Sequence, residues 1–281
     1  MYLSHFGLNE LPFGITPDTQ FAFAGRSHQE GLNTLLVAVD SGEGFIKITG
    51  EVGTGKTLLC RRFLKSLAAS GQGHISAYLP NPCLDPRSLL LSLAEELGEQ
   101  MSPTAHAHVL LKRLNDKLLN FARADKRVVV CIDEAQALPL ESMEALRLLS
   151  NLETEKHKLL QLVLFGQPEL HEKLAQRSIR QLRQRIAFSY DLSGLQRSEL
   201  DRYLQHRLQV AGYRGAPVFS AHATRLLHRA SRGIPRLVNV LAHKSLLSAY
   251  GEGRHQIGAA HVRAAAGDTE GTTLPWWRLA L

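Results

Sequence analysis

The run Gly50-Glu51-Val52-Gly53-Thr54-Gly55-Lys56-Thr57 constrains this chain more than any other stretch. It follows the apolar segment Phe45–Thr49 and precedes the helical segment Leu58–Ser70. That order, strand then glycine-rich turn then helix, is the context in which G-x-x-x-x-G-K-[ST] forms a phosphate cradle. Glycines let the backbone take conformations that a side chain forbids. Successive N–H groups then turn inward as a nest for anionic oxygens, and the following helix adds the positive end of its dipole. Lys56 is expected to reach the β- and γ-phosphates, and Thr57 to place its hydroxyl on a Mg²⁺ ion. The candidate nucleotide-binding set is Gly50, Glu51, Val52, Gly53, Thr54, Gly55, Lys56, Thr57 and Leu58.

Periodicity along the chain extends this unit into a fold. Phe45–Thr49, His74–Leu79, Arg127–Ile132, Leu160–Phe165 and Ile186–Leu192 read as strands. Val128–Ile132 is a continuous apolar run, as in strands buried on both faces. Between the strands lie segments with apolar residues at helical spacing, including Leu59, Cys60, Phe63, Leu64 and Leu67. Ser27-His28-Gln29-Glu30 reads as a capping box opening a helix that runs to about Val39. Asp85-Pro86 supplies a cap and a first-turn proline to another helix. Strands alternating with helices predict an α/β fold, an αβα sandwich around a five-stranded parallel sheet. From about Ser193 only helical signals remain, at 195–211, 221–231 and 236–249. The expected organisation is a nucleotide-binding αβα domain with an irregular N-terminal arm at 1–192, a small helical lid domain at 193–250, and a tail at 251–281. The tail ends in Trp276, Trp277 and Arg278, residue types suited to a lipid interface or to docking on the protein itself.

Further polar residues stand at strand ends, where open α/β sheets bind ligands. Asp133 and Glu134 follow the buried strand Val128–Ile132. Asp133 suits a Mg²⁺ ion that bridges phosphates, and Glu134 suits a base acting on a water. Gln167 follows the next buried strand and could sense the γ-phosphate. In the small helical domain, Gly233-Ile234-Pro235-Arg236 opens a helix with an arginine, whose planar and permanently charged fork suits phosphate.

The 281 residues suffice for one large domain and a smaller one. Hydrophobic residues make up 44% and charged residues 21%, which excludes a disordered chain. No apolar stretch reaches the roughly 18 residues of a membrane span, and the N-terminus lacks the basic-then-apolar pattern of a signal peptide. The formal charge of +7 permits contact with nucleic acid or anionic lipid and requires neither. Cys60, Cys83 and Cys131 are odd in number and scattered, which predicts reduced, buried thiols in a cytosolic protein. His106-Ala107-His108 has no acid or cysteine set beside it and is not read as a metal site.

Together these residues resemble the AAA+ ATPases, and within them the ExeA/GspA-like branch used in bacterial secretion and in assembly of MSHA-type pili. The likeness covers nearly the whole chain. It rests on Tyr2–Leu8 with Pro12-Phe13, on Gly50–Thr57, on Ile132-Asp133-Glu134-Ala135-Gln136, on 146–152, on Phe165-Gly166-Gln167-Pro168-Glu169-Leu170 and on Gly233–Arg236. The resemblance implies a five-stranded core with a helical lid, ATP or ADP as ligand, Mg²⁺-dependent hydrolysis, Gln167 as first sensor and Arg236 as second. Most AAA+ proteins carry Asn, Thr or Ser at that first position, so Gln167 departs from the superfamily. The family also places an arginine finger at a neighbour's ATP. Arg177, Arg180 and Arg183 recur on one face and Arg185 follows, with Arg183 or Arg185 the candidates. A finger in trans implies homo-oligomers. The resemblance makes the partners secretion or pilus assembly proteins at the inner membrane, reached from the cytoplasm. A DNA-linked ATPase, such as a transposition helper or replication initiator, is the alternative. A nucleotide-binding scaffold with little turnover is a third.

Overall fold

The computed structural model describes residues 2–272 apart from 17, 72, 81, 103 and 154–157. In chain order the elements are α1 (Leu3–Phe6), α2 (Arg26–Asp40), β1 (Phe45–Thr49), α3 (Lys56–Ala69), β2 (His74–Leu79), α4 (Pro86–Glu96) and α5 (Ala107–Arg123). They continue as β3 (Arg127–Ile132), α6 (Leu140–Leu149), β4 (Leu160–Gly166), α7 (Glu169–Leu174), α8 (Arg180–Arg183) and β5 (Ile186–Asp191). The chain then turns helical, with α9 (Arg197–Val210), α10 (Ala221–Ser231), α11 (Pro235–Gly251) and α12 (Ala259–Gly267). The tryptophans of the tail lie outside the described residues.

The described residues form two compact units. One holds 30–51 and 59–192, and the other holds 1–29, 52–58 and 193 onward. The first unit is an all-parallel sheet in the order β2-β3-β4-β1-β5. Its strands alternate strictly between two cores. Val128, Val130, Ile132, Leu160, Leu162 and Leu164 face one layer, with α4, α5 and α6. Ile46, Ile48, Val129, Cys131, Val163 and Phe165 face the other, with Leu35 of α2 and Leu59 and Phe63 of α3. Burial on both faces is why Val128–Ile132 of β3 and Leu162–Phe165 of β4 read as continuous apolar runs rather than alternating ones. Asp85 caps α4 as its sequence predicts, accepting from the N–H groups of Arg87 and Ser88, with Pro86 at the first helical position.

Several expectations need correction. α2 starts at Arg26, so Ser27 is inside the helix and is not its cap. Cys60 and Cys131 are buried, but Cys83 is exposed, because the segment before α4 runs over the surface. The segment 251–281 contains α12, which packs on α10 and α11. The arm, 1–29, belongs to the helical unit, where Tyr2, Phe6, Leu8, Phe13 and Phe21 join the core of α9–α12.

Polar groups tie the arm down as firmly as apolar ones. Arg207 of α9 is buried. Its Nε donates to Pro12 O (2.5 Å), its Nη2 donates to Gly14 O (3.2 Å), and its guanidinium lies 4.7 Å from the centre of the Phe21 ring. Asn239 of α11 donates to Gly14 O as well (3.1 Å). Removing Arg207 takes its donor from Pro12 O and leaves Gly14 O with Asn239. Arg207→Ala is expected to cost about 2–4 kcal/mol in urea unfolding. It should also make the 11–16 segment the first site cut in limited proteolysis.

Candidate nucleotide site

The helical unit contains the loop 52–58. Gly53 and Gly55 sit at φ +84° and +97°, conformations that exclude an ordinary side chain. Space excludes one too. A Cβ on Gly53 would lie 2.6 Å from Arg236 Cβ, and one on Gly55 would lie 2.7 Å from His28 Nε2. Thr54 and Lys56 are buried, while Val52 is exposed. α3 begins at Lys56 and has no acidic residue in its first turn. The N-terminus of a helix, with its inward N–H groups and the positive end of its dipole, favours an anion. A backbone nest beside a buried lysine fits a polyphosphate.

Arg236 reaches this loop through its backbone, whose N–H donates to Gly53 O (3.1 Å), while its side chain is exposed. Pro235 stands at the first helical position of α11, where its missing N–H costs nothing. His28 is a site neighbour that sequence reading used only as part of a capping motif. Nothing local in the sequence marks it, since only the fold brings residues 28 and 55 together.

The sheet unit presents a second group of residues at the carboxyl ends of β3 and β4. Asp133 is buried, its N–H donates to Leu79 O (2.9 Å), and its Oδ1 accepts from Glu134 N (3.0 Å). Tyr78 OH donates to Asp133 Oδ2 (3.3 Å). Burial, and then the Asp133 charge, push the Tyr78 phenol up, so it stays a neutral donor. Glu134 takes a left-handed conformation, φ +50° and ψ +39°. Such backbones are strained for a residue with a side chain and gather at functional sites.

Two amides hold the Glu134 carboxylate. Gln136 Nε2 donates to Oε2 at 2.6 Å, and Gln167 Nε2 donates to the same oxygen at 3.0 Å. Gln167 N in turn donates to Gln136 Oε1 (3.0 Å), which closes the network. Lys173 Nζ donates to the carbonyls of Gln136 and Leu138, both at 2.6 Å, and fixes that turn. The structure thus brings Glu134 and Gln167 together and adds Gln136, which appeared in the sequence only as part of a motif.

Thr57 and Asp133 offer the hard oxygen donors that Mg²⁺ takes. Among the described residues no cluster of three or more His, Cys, Asp or Glu could hold a metal. Of the candidate fingers, Arg183 is exposed, whereas Arg185 donates to Ser150 Oγ (2.9 Å).

Parallel sheet order, phosphate loop and accompanying helical unit define a P-loop NTPase of the AAA+ type. Residues 39–174 match the family described as an AAA domain. Over 271 residues, or 96% of its length, the chain is 42% identical to General secretion pathway protein A of Aeromonas hydrophila, of which it spans 49%. Solved structures share the fold at low identity. The ORC2 protein of Aeropyrum pernix, in ADPNP–ADP complexes, gives a TM-score of 0.65 at 19% identity over 94% of this chain and 74% of that one. Cdc6p of Pyrobaculum aerophilum gives 0.64 at 16% identity over 89% and 70%. The chain belongs to the ExeA/GspA-like branch of AAA+ proteins.

The loop geometry leads to a direct test. Gly53→Ala must both leave positive φ and displace Arg236 Cβ. It is expected to lose about 1–3 kcal/mol of stability, measured by thermal unfolding.

Proposed function

We propose that this chain is a Mg²⁺-dependent ATPase that serves assembly of a bacterial secretion apparatus or an MSHA-type pilus. The observation that carries the hydrolytic part is the end of β3, where a buried Asp133 is followed by a strained Glu134 whose carboxylate two amides hold. Asp133 and Thr57 would hold a Mg²⁺ ion, which would supply neutralisation of phosphate charge. Gly50–Leu58 cradle the phosphates, and Lys56 supplies a cation to them. Glu134 accepts the proton of the attacking water. Gln167 and Gln136 aim its carboxylate, and Arg236 contributes a second charge to the triphosphate.

The secretion setting is supported by the 42% identity to a protein named for the general secretion pathway. Pilus assembly is the narrower reading within the same branch. Arg183 or Arg185, just before β5, supplies the finger to a neighbouring copy, which makes the active form a homo-oligomer. The work takes place on the cytoplasmic side of the inner membrane, with an assembly protein as the membrane-bound partner. Among the described residues no helix is long and apolar enough to cross a membrane. DNA is the competing partner, because the net charge is +7.

Phosphate release measured with wild type and Glu134→Gln tests the reading. The variant is expected to bind ATP normally and to turn over about 100-fold more slowly or worse. Equal turnover would overturn the role of Glu134. Lys56→Ala is expected to lose nucleotide binding in a fluorescent-nucleotide titration. Strong, salt-sensitive stimulation by double-stranded DNA would replace the secretion reading with the DNA-linked one. Gln136→Ala is expected to lower kcat about tenfold with ATP affinity unchanged, as befits a group that positions the base.

A further inference from the structure

Lys47 stands in the middle of β1, a strand buried along its whole length, and is only 8% exposed. Its Nζ lies 2.9 Å from His171 Nδ1. As an ammonium, Lys47 can only donate, which makes Nδ1 the acceptor nitrogen and puts the ring proton on Nε2. That Nε2 lies 3.1 Å from Thr49 Oγ1 and 3.3 Å from Asp191 Oδ1, and the Thr49 hydroxyl donates to the same carboxylate oxygen. The result is an amine, an imidazole and a carboxylate in sequence. This is the arrangement that activates a nucleophile, with a base on the reacting atom and a third group orienting the base.

Three further observations bear on its use. A cleft of about 360 Å³ opens on this group, lined also by Leu174, Ala175, Arg183, Ile186 and Ser189. Burial first, and the Arg183 charge as well, lower the proton affinity of Lys47, with Asp191 opposing them. The exposed guanidinium of Arg183 at the cleft suits an anionic group on the incoming molecule. None of Lys47, His171 or Asp191 has a part in the proposed hydrolysis.

We propose that Lys47 is a nucleophilic lysine that takes acyl groups from small acyl phosphates entering this cleft. The ammonium passes one proton to His171 Nδ1, and the Asp191 carboxylate stabilises the imidazolium. The freed lone pair attacks the acyl carbon and forms the C–N bond. The C–O bond to phosphorus breaks, and inorganic phosphate leaves with the second nitrogen proton. His171 returns its proton to water. The product is a neutral Nε-acyl-lysine, so the charge in the middle of β1 is lost. The phosphate of the donor meets Arg183.

Acetyl phosphate is the probe, applied to the full chain near neutral pH, with initial acetylation rates read by peptide mass spectrometry. Lys47 is expected to react about tenfold faster than the exposed Lys112 and Lys126, despite its burial. His171→Gln should abolish that advantage. Asp191→Asn, at a side chain 73% exposed, should reduce it without threatening the fold and keeps the test alive if His171→Gln unfolds. Arg183→Gln should slow labelling by acetyl phosphate but not by neutral N-acetoxysuccinimide. A Lys47 rate no higher than that of Lys112, or one unchanged when both His171 and Asp191 are altered, overturns the proposal. Equal loss with both reagents in Arg183→Gln overturns the acyl-phosphate specificity. The readout does not depend on ATP hydrolysis.

Discussion

The register of β4 between β1 and β3 is the constraint on which the carboxyl end of the sheet, with Asp133, Glu134 and Gln167, depends. Thr49 pairs with Gly166 and Ile132 with Leu164, so the three strands end at nearly one level. Backbone hydrogen bonds continue the ladder one step further. Gly50 N donates to Gly166 O, and Asp133 N donates to Leu79 O. Each chain therefore leaves the sheet at a fixed height. Gly166 is part of this constraint, because a Cβ there would lie 2.6 Å from Leu170 Cδ2. A slip of one residue would turn every strand side chain to the opposite face and expose one of the two cores. The apolar faces thus protect the position of the polar ends.

That fixed height makes the strain at Glu134 affordable to the fold. A side-chain-bearing residue in the left-handed region costs on the order of 1–3 kcal/mol. The return is that Glu134 turns away from its neighbour Asp133 toward the amides of Gln136 and Gln167. Amide donors orient a carboxylate without neutralising it. Lys173, the cation in this turn, donates to the backbone carbonyls of Gln136 and Leu138. Its charge supports the scaffold around the acid, and the acid keeps the acceptor capacity that a base requires. The Gln167 side chain is long enough to reach Glu134 as a donor.

Features set by local chemistry were legible in the sequence, and those set by distant contacts were not. The runs 128–132 and 162–165 stand out because burial on both faces leaves no polar residue in either, a condition visible in one dimension. The cap of α4 depends on Asp85 and the three residues after it. Ser27 obeys the same short-range rule on paper, yet the helix begins before it, and its hydroxyl instead accepts from Ser193 N, far along the chain. The arm carries aromatic residues without periodicity, so nothing in it specified which unit it would join. α12 was hidden by its small residues, Ala and Gly, which leave a weak apolar pattern even where the helix is packed. At the site, Gly53, Gly55 and Lys56 belong to one contiguous motif and were readable. His28 and Gln136 gain meaning only from neighbours that folding supplies.

Two polar side chains interrupt the otherwise apolar inner strands, and the contrast between them separates structure from chemistry. Gln161 in β4 is buried, and its amide donates to Val39 O and Glu43 O. Those carbonyls lie at the end of α2 and in the turn into β1, so Gln161 ties β4 to the helix terminus, where Val39 O also accepts from Gly42 N. A fixed amide is sufficient for that task. Lys47 is nearly as buried, but its partner is a titratable ring backed by a carboxylate, with a cleft opening beside it. A lysine placed only for packing would be better replaced by an apolar residue of the same length, since desolvating an amine costs several kcal/mol. Its position among groups that accept and stabilise a proton gives that cost a chemical purpose.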